Sequence, residues 1–145
     1  VSPKNIDKII EFKKKNINKI INGYCNLSSS ENPSNVNIPK VITNEKNELV
    51  YMSRSVIPGT KSSKQEAVDF KKQVCIYAFN YDELNIYKSY GRKSMLEEKE
   101  DIEILRFLEL NKKILMIEFE TGSLAIDVPD DIKKVEEQLK IKHGL

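Results

Sequence analysis

Metal-ligating side chains are scarce in this chain. It has one histidine, His143, and two cysteines, Cys25 and Cys75, with no CxxC spacing. That inventory excludes a zinc site of ordinary ligand count. Two thiols without a disulfide framework lead us to expect a reduced, cytoplasmic setting. Long apolar runs are also missing: none approaches the roughly 18–20 residues of a membrane span, and no charged-then-apolar segment of the signal type opens these residues. No sign of charge dominates. Charged residues make up 32% of the chain, yet the net charge is only +2, so neither a nucleic-acid footprint nor an acidic tail stands out. Lys13, Lys14 and Lys15 form the only run of three like charges, and a solvated helix end suits them, because cations there oppose the negative end of the helix dipole. No internal repeat is present.

The 145 residues suit one domain able to bury a core. Val1 is followed directly by a helix start at Ser2-Pro3, which leaves no room for a preceding strand; we therefore expect a piece of a longer protein. Ser2 takes the cap position and Pro3 the first turn, and Ile6, Ile9, Ile10 and Phe12 form a helical stripe ending near Lys15. From Ile17 to Leu27 the apolar residues suit helix or strand; Asn18, Asn22 and Gly23 favour the strand. The polar segment from Ser28 to Asn37 is a loop, its tip the most disorder-prone stretch. Lys40 to Arg54 reads as a hairpin turning at Asn44-Glu45-Lys46-Asn47, followed by a hydrophilic excursion from Thr60 to Asp69 that suits a flap or a partner surface. Val74 to Phe79 is a dense apolar run of central-strand length, and Tyr81 to Tyr90 is a short helix ended by Gly91. Glu100 to Leu110 is amphipathic, with Glu103 and Arg106 three apart and able to pair. Ile114 to Phe119 is a second apolar strand. The order predicts an α/β sheet.

The segment from Thr121 to Leu139 carries the main chemical signal. A short strand leads into a helix whose first position suits Pro129, with Asp130 and Asp131 in the first turn. Val128 then occupies the cap and cannot accept a hydrogen bond, and Asp127 sits one residue too early to do so. Its carboxylate is left over. Either it solvates a turn, or it is a ligand-binding acid where a strand of an open sheet ends.

Four blocks, VYMSRSVIPGT (Val50 to Thr60), KKQVCIYAFN (Lys71 to Asn80), EDIEILRFLEL (Glu100 to Leu110) and AIDVPDDIKKVEEQL (Ala125 to Leu139), resemble in order and spacing the C-terminal part of the cytidylyltransferases that activate acidic sugars, above all the CMP-Kdo synthetases. The resemblance implies a three-layer nucleotidyltransferase sheet of the nucleotide-diphospho-sugar transferase type, incomplete here, with residues 53–79 forming a dimerisation flap. It further implies transfer of CMP from CTP to Kdo with release of pyrophosphate, for lipopolysaccharide or capsule synthesis, in a homodimer that engages neither nucleic acid nor membrane. Asp127 would be the catalytic acid and a ligand of Mg²⁺, although Val128 replaces the family's usual threonine. Tyr77 and Glu103 match sugar-facing positions. Gln73 stands where the bacterial Kdo enzymes often carry histidine, and Ile104 where they often carry glutamine, which leaves the sugar open between Kdo and a sialic-acid-like relative. Arg54 would either meet the sugar carboxylate, for which a guanidinium fork is suited, or hold the hairpin. The family's basic triphosphate-cradling loop and the turn with its other metal-binding acid do not occur in these residues, so the chain by itself is expected to be inactive; a non-catalytic, dimeric sugar-binding module is the other reading.

Overall fold

A computed structural model describes residues 2–59, 61, 68–120, 132, 133, 135–137 and 140. The order is helix α1 (Pro3–Lys15), strands β1 (Ile20–Asn26), β2 (Lys40–Thr43), β3 (Leu49–Ser53) and β4 (Lys71–Ala78), helices α2 (Tyr81–Tyr90), α3 (Met95–Glu100) and α4 (Leu105–Glu109), and strand β5 (Ile114–Glu118). The five strands form one mixed sheet in the order β3-β2-β4-β1-β5, in which only β1 and β5 run parallel. The helix to Lys15, the strand reading of the Ile17 to Leu27 region, the hairpin, and the central position of the Val74 to Phe79 run all match the sequence expectations.

Strand side chains alternate between faces, and the core divides accordingly. Ile21 and Cys25 of β1, with Val74 of β4, Ile117 and Phe119, pack under Ile9 of α1. Ile20 and Tyr24 of β1 face the other way, into a larger cluster with Ile102, Ile104, Leu105, Phe107, Ile114 and Met116. The sheet is thus a middle layer between α1 and the helices that follow β4.

Two sequence readings change. The stretch from Glu100 to Leu110 is not one helix: α3 stops at Glu100, Asp101 adopts a left-handed conformation (φ 50°), and α4 begins only at Leu105. Glu103 therefore lies in the turn before α4, and the expected pairing with Arg106 is not made; Arg106 reaches back to Glu97. The lysine run is not wholly solvated either. Lys13 Nζ donates to the Glu83 carboxylate at 2.7 Å and to the Lys19 carbonyl at 2.6 Å. Glu83 in turn closes the capping box of α2, accepting from the Asn80 N–H while the Asn80 side chain accepts from the Glu83 N–H. One lysine of α1 thereby fixes the start of α2, just past the end of the interior strand β4. The polar loop from Ser28 to Asn37 is also tethered, through an ion pair between Glu31 and Lys72.

Candidate functional site

The even-numbered residues of β4 from Val74 face α1, so the odd ones, Gln73, Cys75 and Tyr77, with Phe79 just beyond, face the other layer. There, Cys75, Tyr77 and Phe79 line a cavity of about 410 Å³ closed by Leu84 and Tyr87 of α2 and by Glu103, Ile104 and Phe107 around the start of α4. Its size is within the range that binds a small molecule. The walls are aromatic: Tyr77 stacks on Phe79 (ring centroids 5.9 Å apart), Phe79 on Phe107 (5.4 Å), and Tyr87 tilts against Phe107 (5.6 Å).

The break between α3 and α4 delivers Glu103 to the cavity. It is held by a buried ion pair in which Arg106 Nε and Nη2 each donate to a Glu97 carboxylate oxygen at 2.6 Å. The Arg106 guanidinium also lies over the Tyr87 ring, 3.6 Å from its centroid, and the Tyr87 hydroxyl donates to Glu97 at 3.1 Å. Because this pairing occupies Arg106, the exposed Glu103 carboxylate makes no ion pair among the described residues and borders the cavity.

Tyr77 is a partly buried polar group among these rings. Its hydroxyl accepts a hydrogen bond from Gln73 Nε2 at 2.9 Å. Burial first, and the negative charge of Glu103 with it, push its phenol well above the usual tyrosine range despite the Gln73 hydrogen bond, which reinforces its neutral O–H form. Gln73 is itself buried and bonded to Asn22 of β1.

The expected site residues thus divide. Tyr77 and Glu103 come together on one cavity, Ile104 lines it, and Gln73 stands behind Tyr77. Arg54 does not line it: its guanidinium donates to the carbonyls of Glu100, Val36 (2.9 Å) and Asp101 (3.1 Å), while the Glu100 carboxylate accepts from the Arg54 N–H (2.8 Å) and the Ser53 hydroxyl (2.6 Å). This is the hairpin-holding arrangement. Asp127 lies outside the described residues, as does most of the Thr60 to Asp69 flap. Among the described residues no group of three or more His, Cys, Asp or Glu side chains could hold a metal ion, and no helix is long and apolar enough to cross a membrane. Sequence reasoning missed Cys75, Phe79, Leu84, Tyr87 and Phe107 as lining residues; the alternation of β4 counted from Tyr77 carries the signal for the first two.

A solved structure shares this fold. A CMP:2-keto-3-deoxy-manno-octonic acid synthetase solved in complex with CTP superposes with a TM-score of 0.84 at 24% identity, over 98% of this chain and 58% of that one. By sequence the chain is similar to proteins named 3-deoxy-manno-octulosonate cytidylyltransferase. The protein of that name from Flavobacterium johnsoniae is 33% identical over 128 residues, 88% of this chain and 50% of the relative. That from Christiangramia forsetii is 36% identical over 78% of this chain and 45% of its own length, and that from Bacteroides thetaiotaomicron 34% identical over 73% and 44%. No family model matches the chain. The chain spans about half the length of the curated relatives it matches.

Proposed function

We propose that this chain is the sugar-facing part of a cytidylyltransferase that couples CTP to an eight-carbon acidic sugar, Kdo, giving CMP-Kdo and pyrophosphate for lipopolysaccharide or capsule synthesis. One observation carries the reading: Tyr77 and Glu103, distant in sequence and both matched by resemblance to sugar-facing positions, line the same cavity. The chemistry of the lining suits a polyol. Aromatic faces pack on the C–H faces of a sugar ring, the Tyr77 hydroxyl donates to an oxygen, and the Glu103 carboxylate accepts from hydroxyl groups.

The transfer needs cations to offset triphosphate charge. In this reading Asp127, matched by resemblance to the family's metal-binding acid, would hold Mg²⁺, and the ion would supply that charge. Residues 53–79 are read as the surface that pairs two copies, in the cytoplasm, without nucleic acid or membrane as partner. Arg54 keeps its structural place. Ile104 puts an apolar, buried side chain into the cavity wall where the resemblance implies a glutamine, and this departure leaves a sialic-acid-like sugar in place of Kdo as the second reading. The triphosphate-cradling loop implied by the resemblance is not among these residues, so the 145-residue chain should release no pyrophosphate from CTP, Mg²⁺ and Kdo, whereas a form carrying such a loop should. Robust turnover by the 145 residues alone would overturn the division of labour, and no response to any acidic sugar in the longer form would overturn the substrate class.

A further inference from the structure

Asn22 is a fully buried polar side chain in the middle of the sheet, at the one irregularity between β1 and β4. Asn22 pairs with Tyr77 but the next residue, Gly23, pairs with Val74, so the ladder skips Cys75 and Ile76. The Asn22 amide occupies this gap. Its Nδ2 donates to the carbonyls of Val74 (3.1 Å) and Ile76 (2.9 Å), and this fixes the orientation of the amide, since an oxygen there would face two other oxygens. Its Oδ1 is therefore turned to Gln73, which must offer a donor: Gln73 Nε2 lies 3.2 Å away. The second N–H of the same Nε2 donates to the Tyr77 hydroxyl, and the Gln73 carbonyl oxygen accepts from the Cys75 thiol at 3.8 Å. Each member of the chain has its direction set by the one before it. Tyr77, already an acceptor toward Gln73, is left with its own proton for a partner on the cavity side.

We propose that Asn22, acting through Gln73, is a positioning residue that sets the hydrogen-bond polarity of the cavity, so that Tyr77 donates to an acceptor oxygen of the ligand while Glu103 accepts from its hydroxyls. The ligand class rests on the cytidylyltransferase reading; the relay itself does not. It requires a ligand that presents an acceptor oxygen and a hydroxyl donor to the two sides of one cavity, as a polyhydroxy acid does.

The test uses the intact protein with ¹³Cζ-labelled tyrosine, and calorimetry with Kdo and with a sialic acid. Gln73→Met removes the donor and keeps the volume, while Gln73→Glu replaces it with an acceptor that takes the Tyr77 proton away from the cavity. The expected order of sugar affinity is wild type, then Gln73→Met, weaker by about tenfold, then Gln73→Glu, weaker again. CTP affinity should not move. Asn22→Ala should shift the Tyr77 ¹³Cζ resonance in the ligand-free protein, and its effect on sugar affinity should disappear in a Tyr77→Phe background. Equal losses in both backgrounds, or Gln73→Glu binding as well as Gln73→Met, would overturn the relay. Should Asn22→Ala fail to fold, the order of the two Gln73 variants decides. Should no acidic sugar bind to the wild type, the functional reading falls, and the relay then stands or falls on whether the Tyr77 resonance moves in Gln73→Met.

Discussion

Removing Arg106 tests whether the pocket wall is held by a buried charge pair. Glu97 and Arg106 are 1% and 7% exposed, and their fork-to-fork contact has two hydrogen bonds of 2.6 Å. In Arg106→Met the aliphatic volume is largely kept, but the Glu97 carboxylate retains only the Tyr87 hydroxyl and the Ser94 N–H, each at 3.1 Å. Breaking one side of such a pair costs about 3–5 kcal/mol, because an uncompensated charge stays buried. In a domain of this size that lowers Tm by about 10–15 °C. The pH dependence adds a second check. Burial alone would raise the Glu97 carboxyl, but the Arg106 and Ser94 hydrogen bonds, the Arg106 charge and the Tyr87 hydroxyl outweigh it and hold Glu97 below the usual range. A depressed folded-state value gives stability that is present above the unfolded value, about 4.3, and lost as the pH falls through the folded one. Urea unfolding of wild type and variant should therefore show the full gap from about pH 5 to 8 and a narrowing gap below about pH 4. A loss under about 1 kcal/mol, the worth of an exposed pair, would refute the reasoning, as would a gap that stays constant to low pH.

Two further outcomes follow from the same geometry, and a third from the proposed function. Gly23→Ala would place a Cβ 2.3 Å from Cε2 of the buried Phe119 and 3.3 Å from the Val74 carbonyl, so it should lower stability by about 1–3 kcal/mol in a denaturant titration; a neutral result would mean that the ring can move aside. Glu100→Gln weakens the acceptor for the Ser53 hydroxyl, the Arg54 N–H and the Tyr51 hydroxyl, and should cost about 1–2 kcal/mol while loosening the end of the hairpin, measured by amide exchange of residues 51–54. On the proposed function, Asp127→Asn in the intact protein should lower turnover by orders of magnitude, because a metal ligand would be lost; near-normal kinetics would remove Asp127 from the site.

Much of the architecture was legible from apolar runs together with residues that break or end helices. The apolar residues from Ile17 to Leu27 suit helix or strand, and Asn18, Asn22 and Gly23 pointed correctly to the strand; Gly91 marked the end of α2, whose capping box of Asn80 and Glu83 the structure adds. The break at Asp101 was not legible. The apolar spacing of Ile102, Leu105 and Leu108 survives a change of direction, and a non-glycine residue in the left-handed region leaves no plain mark in sequence. Pairing was misread for the same reason, since Glu103 and Arg106 sit three apart but not on one helix, and the partner of Arg106 lies across the turn at Glu97. Of the site, the resemblance supplied Tyr77 and Glu103. The aromatic wall needed the packing of α2 and α4, and the role of Asn22 needed the skipped register between β1 and β4, which depends on a partner strand about 50 residues away.

The central claim is that the cavity bordered by Tyr77 and Glu103 binds the acidic sugar. Titrating Kdo into the intact protein and into a Tyr77→Phe, Glu103→Gln double variant measures this directly. The account predicts saturable binding to the wild type, an affinity lower by at least about tenfold in the variant, and the same thermal unfolding for both. Equal affinity in the two proteins would contradict it.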